Sequence, residues 1–239
     1  MHPGGAHCPG THPARHWAVS MPDENKVLTG APRFAALWLR CAGGASAPEA
    51  VATHTRLCEG YRQPWRHYHS LAHIEHCLRE FDATKADMAG PDEVELALWY
   101  HDAVYQPGDA RNEQRSAELF AEDARGRLPA PLVAEVCALI MATTHLAPPT
   151  SAQARWVVDI DLSSFGLPWP GFLRDSRAVR AEMEMQNDAL YLAAHGCFLR
   201  GLLARPRIFS TDYFHARCEQ RARDNIMRLL DAYAAGTRL

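Results

Sequence analysis

Three observations predict an all-helical fold. From residue 31 onward apolar residues recur at helical spacing, and no run alternates with the period of a strand. Glycine and proline pairs punctuate the periodic segments. No run reaches the ~18 to 20 apolar residues of a membrane helix, so the helices are expected to pack on one another in a soluble domain.

The elements follow in order. A first helix is predicted over Pro32 to Cys41, stopped by Gly43-Gly44, and a second over Ala47 to Gly60, followed by the turn-like Arg62-Gln63-Pro64. A third starts near His69 and runs to Asp82, with Leu71, Ile74, Leu78 and Phe81 at helical spacing. Gly90-Pro91 opens a fourth over Asp92 to Tyr105, which Pro107-Gly108 closes. Asn112 to Ala124 and Pro131 to Thr144 are next, with Pro148-Pro149 as the stop. An apolar segment spans Trp156 to Phe165. Two long helices finish the chain, Arg174 to Ala204, with a possible break near Gly196, and Asp212 to Ala235.

Residues 1–30 are expected to be a disordered leader, with a start at Met21 as one reading, and 31–239 to be one domain. The first twenty residues hold histidine, glycine and proline but no apolar core of a signal peptide. The 25 basic and 28 acidic residues are spread along the chain, which argues against a nucleic-acid scaffold. Seven cysteines form no CxxC pair, so neither a disulfide framework nor a zinc finger fits and a reducing cytoplasm is expected.

Three segments carry chemistry. In RHYHSLAHIEH, residues 66–76, His69 and His73 are four apart and would stack on one helical face, with His76 close by. Such a face is either solvated or a set of metal ligands, since imidazole suits Zn, Fe, Mn or Ni. In ELALWYHDAVY, residues 95–105, His101 shares a face with Val94, Ala97, Leu98 and Val104, so it should point inward with Asp102 beside it. A buried carboxylate needs a cation or several hydrogen bonds, and a shared metal accounts for both residues. In VVDIDLSSFG, residues 157–166, helical projection puts Asp161 between Val157 and Phe165 and leaves Asp159 as the alternative.

A histidine on one helix, a His-Asp pair on a later one and a distal aspartate resemble the HD superfamily of metal-dependent phosphohydrolases. RHYHSLAHI, WYHDAVY, NEQRSA and DIDLSSFG look like its little-characterised bacterial branch, over roughly residues 31 to 235. The resemblance implies a single HD-type helical domain, with a divalent metal (Mn, Mg, Fe, Co, Ni or Zn) held by His73, His101, Asp102 and Asp161. A more distant likeness to cyclic-nucleotide phosphodiesterases makes His73 the ligand and His69 the proton donor, and matches their distal ligand to Asp161-Leu162-Ser163. The chain departs from them at Ser70 and lacks a matching nucleotide-recognition glutamine, so cyclic nucleotides are not implied.

The implied activity is hydrolysis of a small phosphate ester, mono- or diester, with nucleotides among the candidates, by metal-activated water. Arg66 either binds a substrate phosphate or covers the surface. Glu113 either faces the site or is a first-turn acid favoured by the helix dipole. His145, just past a helix end, reads either as a group at the metal or as a dipole-stabilised histidine. RIFSTDYF and Glu219, Arg223 and Asn225 resemble the bacterial branch too, with packing or a buried ion pair as their physical reading. Two rival functions stand beside hydrolysis. One is an HD-type diiron oxygenase drawing further ligands from Glu113, His145 or His69; the other is a non-catalytic, metal-stabilised helical module.

Overall fold

The computed structural model describes residues 24–42, 46–183 and 187–236. The chain forms α1 (Glu24–Cys41), α2 (Ala47–Tyr61), α3 (Leu71–Thr84), α4 (Pro91–Tyr100), α5 (Asn112–Ala124) and α6 (Ala130–Ala142). It continues through α7 (Ala152–Leu162), α8 (Trp169–Glu182), α9 (Asp188–Leu203) and α10 (Asp212–Ala234). Short 3-10 turns follow α3 and α7, and no strand occurs among the described residues. No described helix is long and apolar enough to cross a membrane.

The centre of the fold is α4, in which every residue from Val94 to Tyr100 is buried. A helix apolar on all sides has to be enclosed by others, and α4 packs against α1, α3, α5, α6 and α7. Gly90, at φ 74, and Pro91 at its first turn open it as the sequence predicts. Glu95 is the one charged residue inside, and its carboxylate takes the Arg33 guanidinium at 2.6 Å. On the next layer α7 buries Val157, Val158, Ile160 and Leu162.

Several boundaries differ from the sequence reading, each for a local reason. α1 begins at Glu24 with Pro32 inside it, so 24–30 are helical where a leader was expected; 1–23 and the Gly43-Gly44 stop lie outside the described residues. α3 begins at Leu71, because Ser70 takes the extended backbone of an N-cap (φ -123, ψ 177). His69 therefore precedes the helix and does not share its face with His73. α4 ends at Tyr100, so His101 and Asp102 stand at its exit and not within a longer helix. α7 starts earlier than Trp156, at Ala152, where the Ser151 side chain accepts the Ala154 N–H. The long helix expected over 174–204 is two, α8 and α9. Its break is not at Gly196 but between Glu182, where α8 ends, and Asn187, which caps α9 by accepting the Ala189 N–H.

Candidate metal centre

α3, α4 and α7 each deliver donor atoms to one point. His73 projects from the first turn of α3 and is buried, as is His101 at the exit of α4. His101 Nδ1 lies 3.0 Å from the carbonyl of Leu98, one turn back. That carbonyl can only accept, so Nδ1 carries a proton and Nε2 is the ring nitrogen that faces inward, free to bind a cation once its own proton is lost. His73 Nε2 stands 3.1 Å from His101 Nε2 and 3.1 Å from Asp161 Oδ1. Asp102 Oδ2 is 3.0 Å from His101 Nε2 and 3.6 Å from His73 Nε2, and Asp161 Oδ1 is 3.5 Å from His101 Nε2. Atoms held ~2.1 Å from one ion stand ~3.0 Å apart at right angles and ~3.4 Å apart at the tetrahedral angle. The observed spacings of 3.0 to 3.6 Å fit that geometry.

The donor atoms of His73, Cys77, His101 and Asp161 all lie within 4.8 Å of one another, a cluster that can hold a metal ion. Cys77 escaped the sequence reading as a ligand, although its place one turn after His73 was a signal. Its Sγ is 3.6 Å from His73 Nε2 and 4.0 Å from Nδ1, beside the ring. Burial, with Asp161 and Asp102 nearby, pushes its thiol well above the usual range.

The charges of the cluster support one another. Burial by itself would raise the Asp102 and Asp161 carboxyls, but His101 above all holds both below the ordinary range. Reciprocally, burial opposes a charged His101, yet Asp102 and Asp161 raise it well above normal. Asp161 is also held from behind, because its Oδ2 lies 2.9 Å from His145 Nε2. His145 takes a left-handed backbone (φ 55), rare for a residue with a Cβ, and Arg205 donates to its carbonyl. Its buried Nδ1 has no partner among the described residues.

His69 stands beside the cluster, its ring centre 6.3 Å from that of His73 and stacked 4.2 Å from Tyr105. Its Nδ1 is 2.6 Å from Glu182 Oε2, while Glu182 Oε1 accepts the backbone N–H groups of Tyr68 and His69. Burial would lower His69, but Asp102 and then Glu182 raise it. Glu182, at the end of α8, was not singled out in the sequence. It lies 113 residues from its partner, and no local pattern marks it.

The remaining candidates separate cleanly. Asp159 points away from the cluster, its carboxylate accepting the N–H groups of Ser210 and Thr211 and the Thr211 hydroxyl. Arg66 was a candidate for substrate phosphate, but its guanidinium donates to the carbonyls of His69, Asp102 and Ala103 and to Gln63 Oε1. It braces the turn that carries the His-Asp pair and does not line the cavity. His76 bonds Ser163 at 2.8 Å, outside the cluster. Glu113 lies in the first turn of α5 and also lines the cavity; burial first, then Asp102, raises its carboxyl. Glu219 accepts the N–H groups of Ile208 and Phe209 and pairs with Arg223. Asn225 donates to the carbonyls of Phe165 and Leu167.

Asp102, Asp161, His69, Glu113 and His145 open onto one cavity of about 280 Å³, whose far end is walled by α8 and α9. Comparison of the chain with protein-family models, with curated proteins and with solved structures gives no match.

Proposed function

We propose that the chain is a metal-dependent hydrolase of small phosphate esters, with His73, His101, Asp102 and Asp161 as the ligands of an HD-type centre. One observation carries this reading. A donor cluster at ligand spacing and a carboxylate-held imidazole face the same cavity. A purely structural metal site has no use for the second group, whereas hydrolysis needs a proton donor next to the reacting phosphorus.

A divalent ion among these donors supplies Lewis acidity and lowers the pKa of a water from 15.7 toward ~7. The protein's own groups do the rest. Leu98 fixes the His101 tautomer, and His145 orients Asp161 so that Oδ1 faces the two imidazoles. Glu182 accepts the Nδ1 proton of His69, which leaves the other ring edge to protonate the departing alkoxide. Asp102 is preferred to Cys77 as fourth ligand, because its oxygen lies 3.0 Å from His101 Nε2 and the Cys77 sulfur sits beside the His73 ring.

The test is elemental analysis of purified protein, joined to turnover of simple phosphate esters with Mn, Mg, Co, Ni, Fe or Zn added. Asp102→Ala should lose both metal and hydrolysis while Cys77→Ala keeps both. Metal retained in Asp102→Ala and lost in Cys77→Ala would replace this ligand set with the thiol-bearing one. His145 and Glu113 are the donors a second ion would need, so two irons per chain with oxygen uptake and no ester turnover would favour the oxygenase.

A further inference from the structure

The far end of the cavity bears on what the substrate carries besides its phosphate. Phe172, Ser176 and Val179 lie on one face of α8, spaced by four and three residues, and His195 and Phe198 on one face of α9. The Phe198 ring centre lies 6.2 Å from His145 at the metal end and 6.4 Å from His195 at the other, so it spans the length of the wall. Phe165 stands 6.4 Å from Phe198 and 5.6 Å from Phe172. At about 280 Å³ the space is at the small end of the ~300–1,000 Å³ usual for ligand pockets.

Charge narrows the occupant. Among the described residues no lysine or arginine lines this cavity, while Asp102, Glu113, Asp161 and Asp175 do. Phosphate recognition away from a metal calls on arginine, lysine or a helix N-terminus. A second phosphate placed here would be desolvated beside carboxylates and left unpaired, which costs several kcal/mol.

Hydrogen bonding narrows it further. Tyr68 and Ser164 pair with each other, the Ser176 hydroxyl donates to the Phe172 carbonyl, and Thr143 and Thr144 donate to Ile140 and Met141 carbonyls. His195 differs. Its Nδ1 faces two phenol oxygens, Tyr233 at 2.8 Å and Tyr191 at 3.1 Å, and its Nε2 has no partner among the described residues. Burial holds its pKa down at about 4, so the ring is neutral at ordinary pH. A neutral, oriented imidazole at the end of an aromatic slot reads a polar edge and does not bind an anion.

We propose that the cavity takes the phosphate monoester of an uncharged, ring-bearing alcohol. The ring lies against Phe165 and Phe198, and a hydrogen-bonding group on its far edge meets His195 Nε2. This rests on the hydrolase reading and deepens it by naming the substrate class. Phosphonates, which resist hydrolysis, give the test as dissociation constants measured by calorimetry on the metal-loaded protein.

Benzylphosphonate should bind about 10-fold or more tighter than ethylphosphonate, from the buried ring. Butane-1,4-bisphosphonate should bind more weakly than either. 4-Hydroxybenzylphosphonate should bind tighter than benzylphosphonate, and His195→Phe should reduce that ratio by roughly 3- to 10-fold with benzylphosphonate affinity kept. A merely structural histidine would move both ligands together. Equal affinity for the ethyl and benzyl compounds, a preference for the bisphosphonate, or an unchanged ratio in His195→Phe overturns the inference and leaves the hydrolase reading standing. If none of the four binds, the phosphate reading falls and this inference with it.

Discussion

Asp159 and Asp161 sit two residues apart on α7, in one apolar stretch, and face opposite regions of the molecule. Asp159 meets the segment that opens α10, where two backbone N–H groups and the Thr211 hydroxyl satisfy it. Asp161 meets three imidazoles, those of His73, His101 and His145. Burial outweighs the neutral donors around Asp159 and raises its carboxyl, whereas His101 and its neighbours overcome burial and depress Asp161. A buried carboxylate alone therefore does not mark a site. One matched to backbone N–H groups organises the chain, as Glu219 does for Ile208 and Phe209. One surrounded by imidazoles at ligand spacing can share them with a cation that displaces their protons.

That contrast can be broken in steps. The largest effect is expected where a ligand is removed: His73→Ala should lose both bound metal and turnover, measured by elemental analysis and ester hydrolysis. Next comes His69→Ala, which should keep its metal and fall ~10²- to 10⁴-fold in turnover, the expected value of a proton donor. That deficit should shrink for nitrophenyl esters, whose leaving group needs little protonation. Loss of metal from His69→Ala would make His69 a ligand and favour the oxygenase. Glu182→Gln acts through His69, so a smaller loss of ~10- to 100-fold with metal retained is expected, as for other orienting partners. Full activity in Glu182→Gln would remove the dyad from the mechanism.

The smallest effect belongs to the structural acids. Glu219 is held below its ordinary pKa: burial opposes this, but the Phe209 and Ile208 N–H groups and Arg223 outweigh it. A depressed carboxyl contributes stability above its unfolded pKa of ~4.3 and loses that contribution as pH falls through its folded value. Glu219→Gln should thus lower stability by about 1–2 kcal/mol at pH 7, the scale of a lost charged hydrogen bond, with the deficit closing in acid. Denaturant titrations at both pH values check this, and metal content should not change.

The contrast also explains what the sequence made legible. The all-helical fold was readable because each helix shows its apolar face within its own few turns, as α4 does most clearly, with Glu95 the one charged residue in its buried run. His101, Asp102 and Asp161 drew attention as polar residues in apolar segments, whereas His73 was set apart from His69 only by the likeness to phosphodiesterases. The donor cluster holds His73, His101 and Asp161, with Cys77. Projection alone left Asp159 open beside Asp161, since both sit in one apolar run; the fold brings His73 of α3 to Asp161 and the segment ahead of α10 to Asp159. Glu182 was missed, and Arg66 misjudged, for a related reason. Glu182 answers a histidine far away in sequence, and Arg66 answers buried turn carbonyls that only the fold brings to it. The division between α8 and α9 was missed because Asn187 was not recognised as a cap in a segment that otherwise reads as helix.

The central claim, that Asp161 belongs to a metal centre and Asp159 does not, is tested most directly by one paired measurement. Asp159→Ala and Asp161→Ala are each melted with and without added divalent metal, and the metal-induced rise in melting temperature is compared with that of the unaltered protein. A ligand that binds only the folded state raises stability in proportion to its affinity. The account predicts that Asp159→Ala melts lower throughout yet keeps the full metal-induced rise, whereas Asp161→Ala loses the rise. A full rise in Asp161→Ala, or its loss in Asp159→Ala alone, would contradict the account.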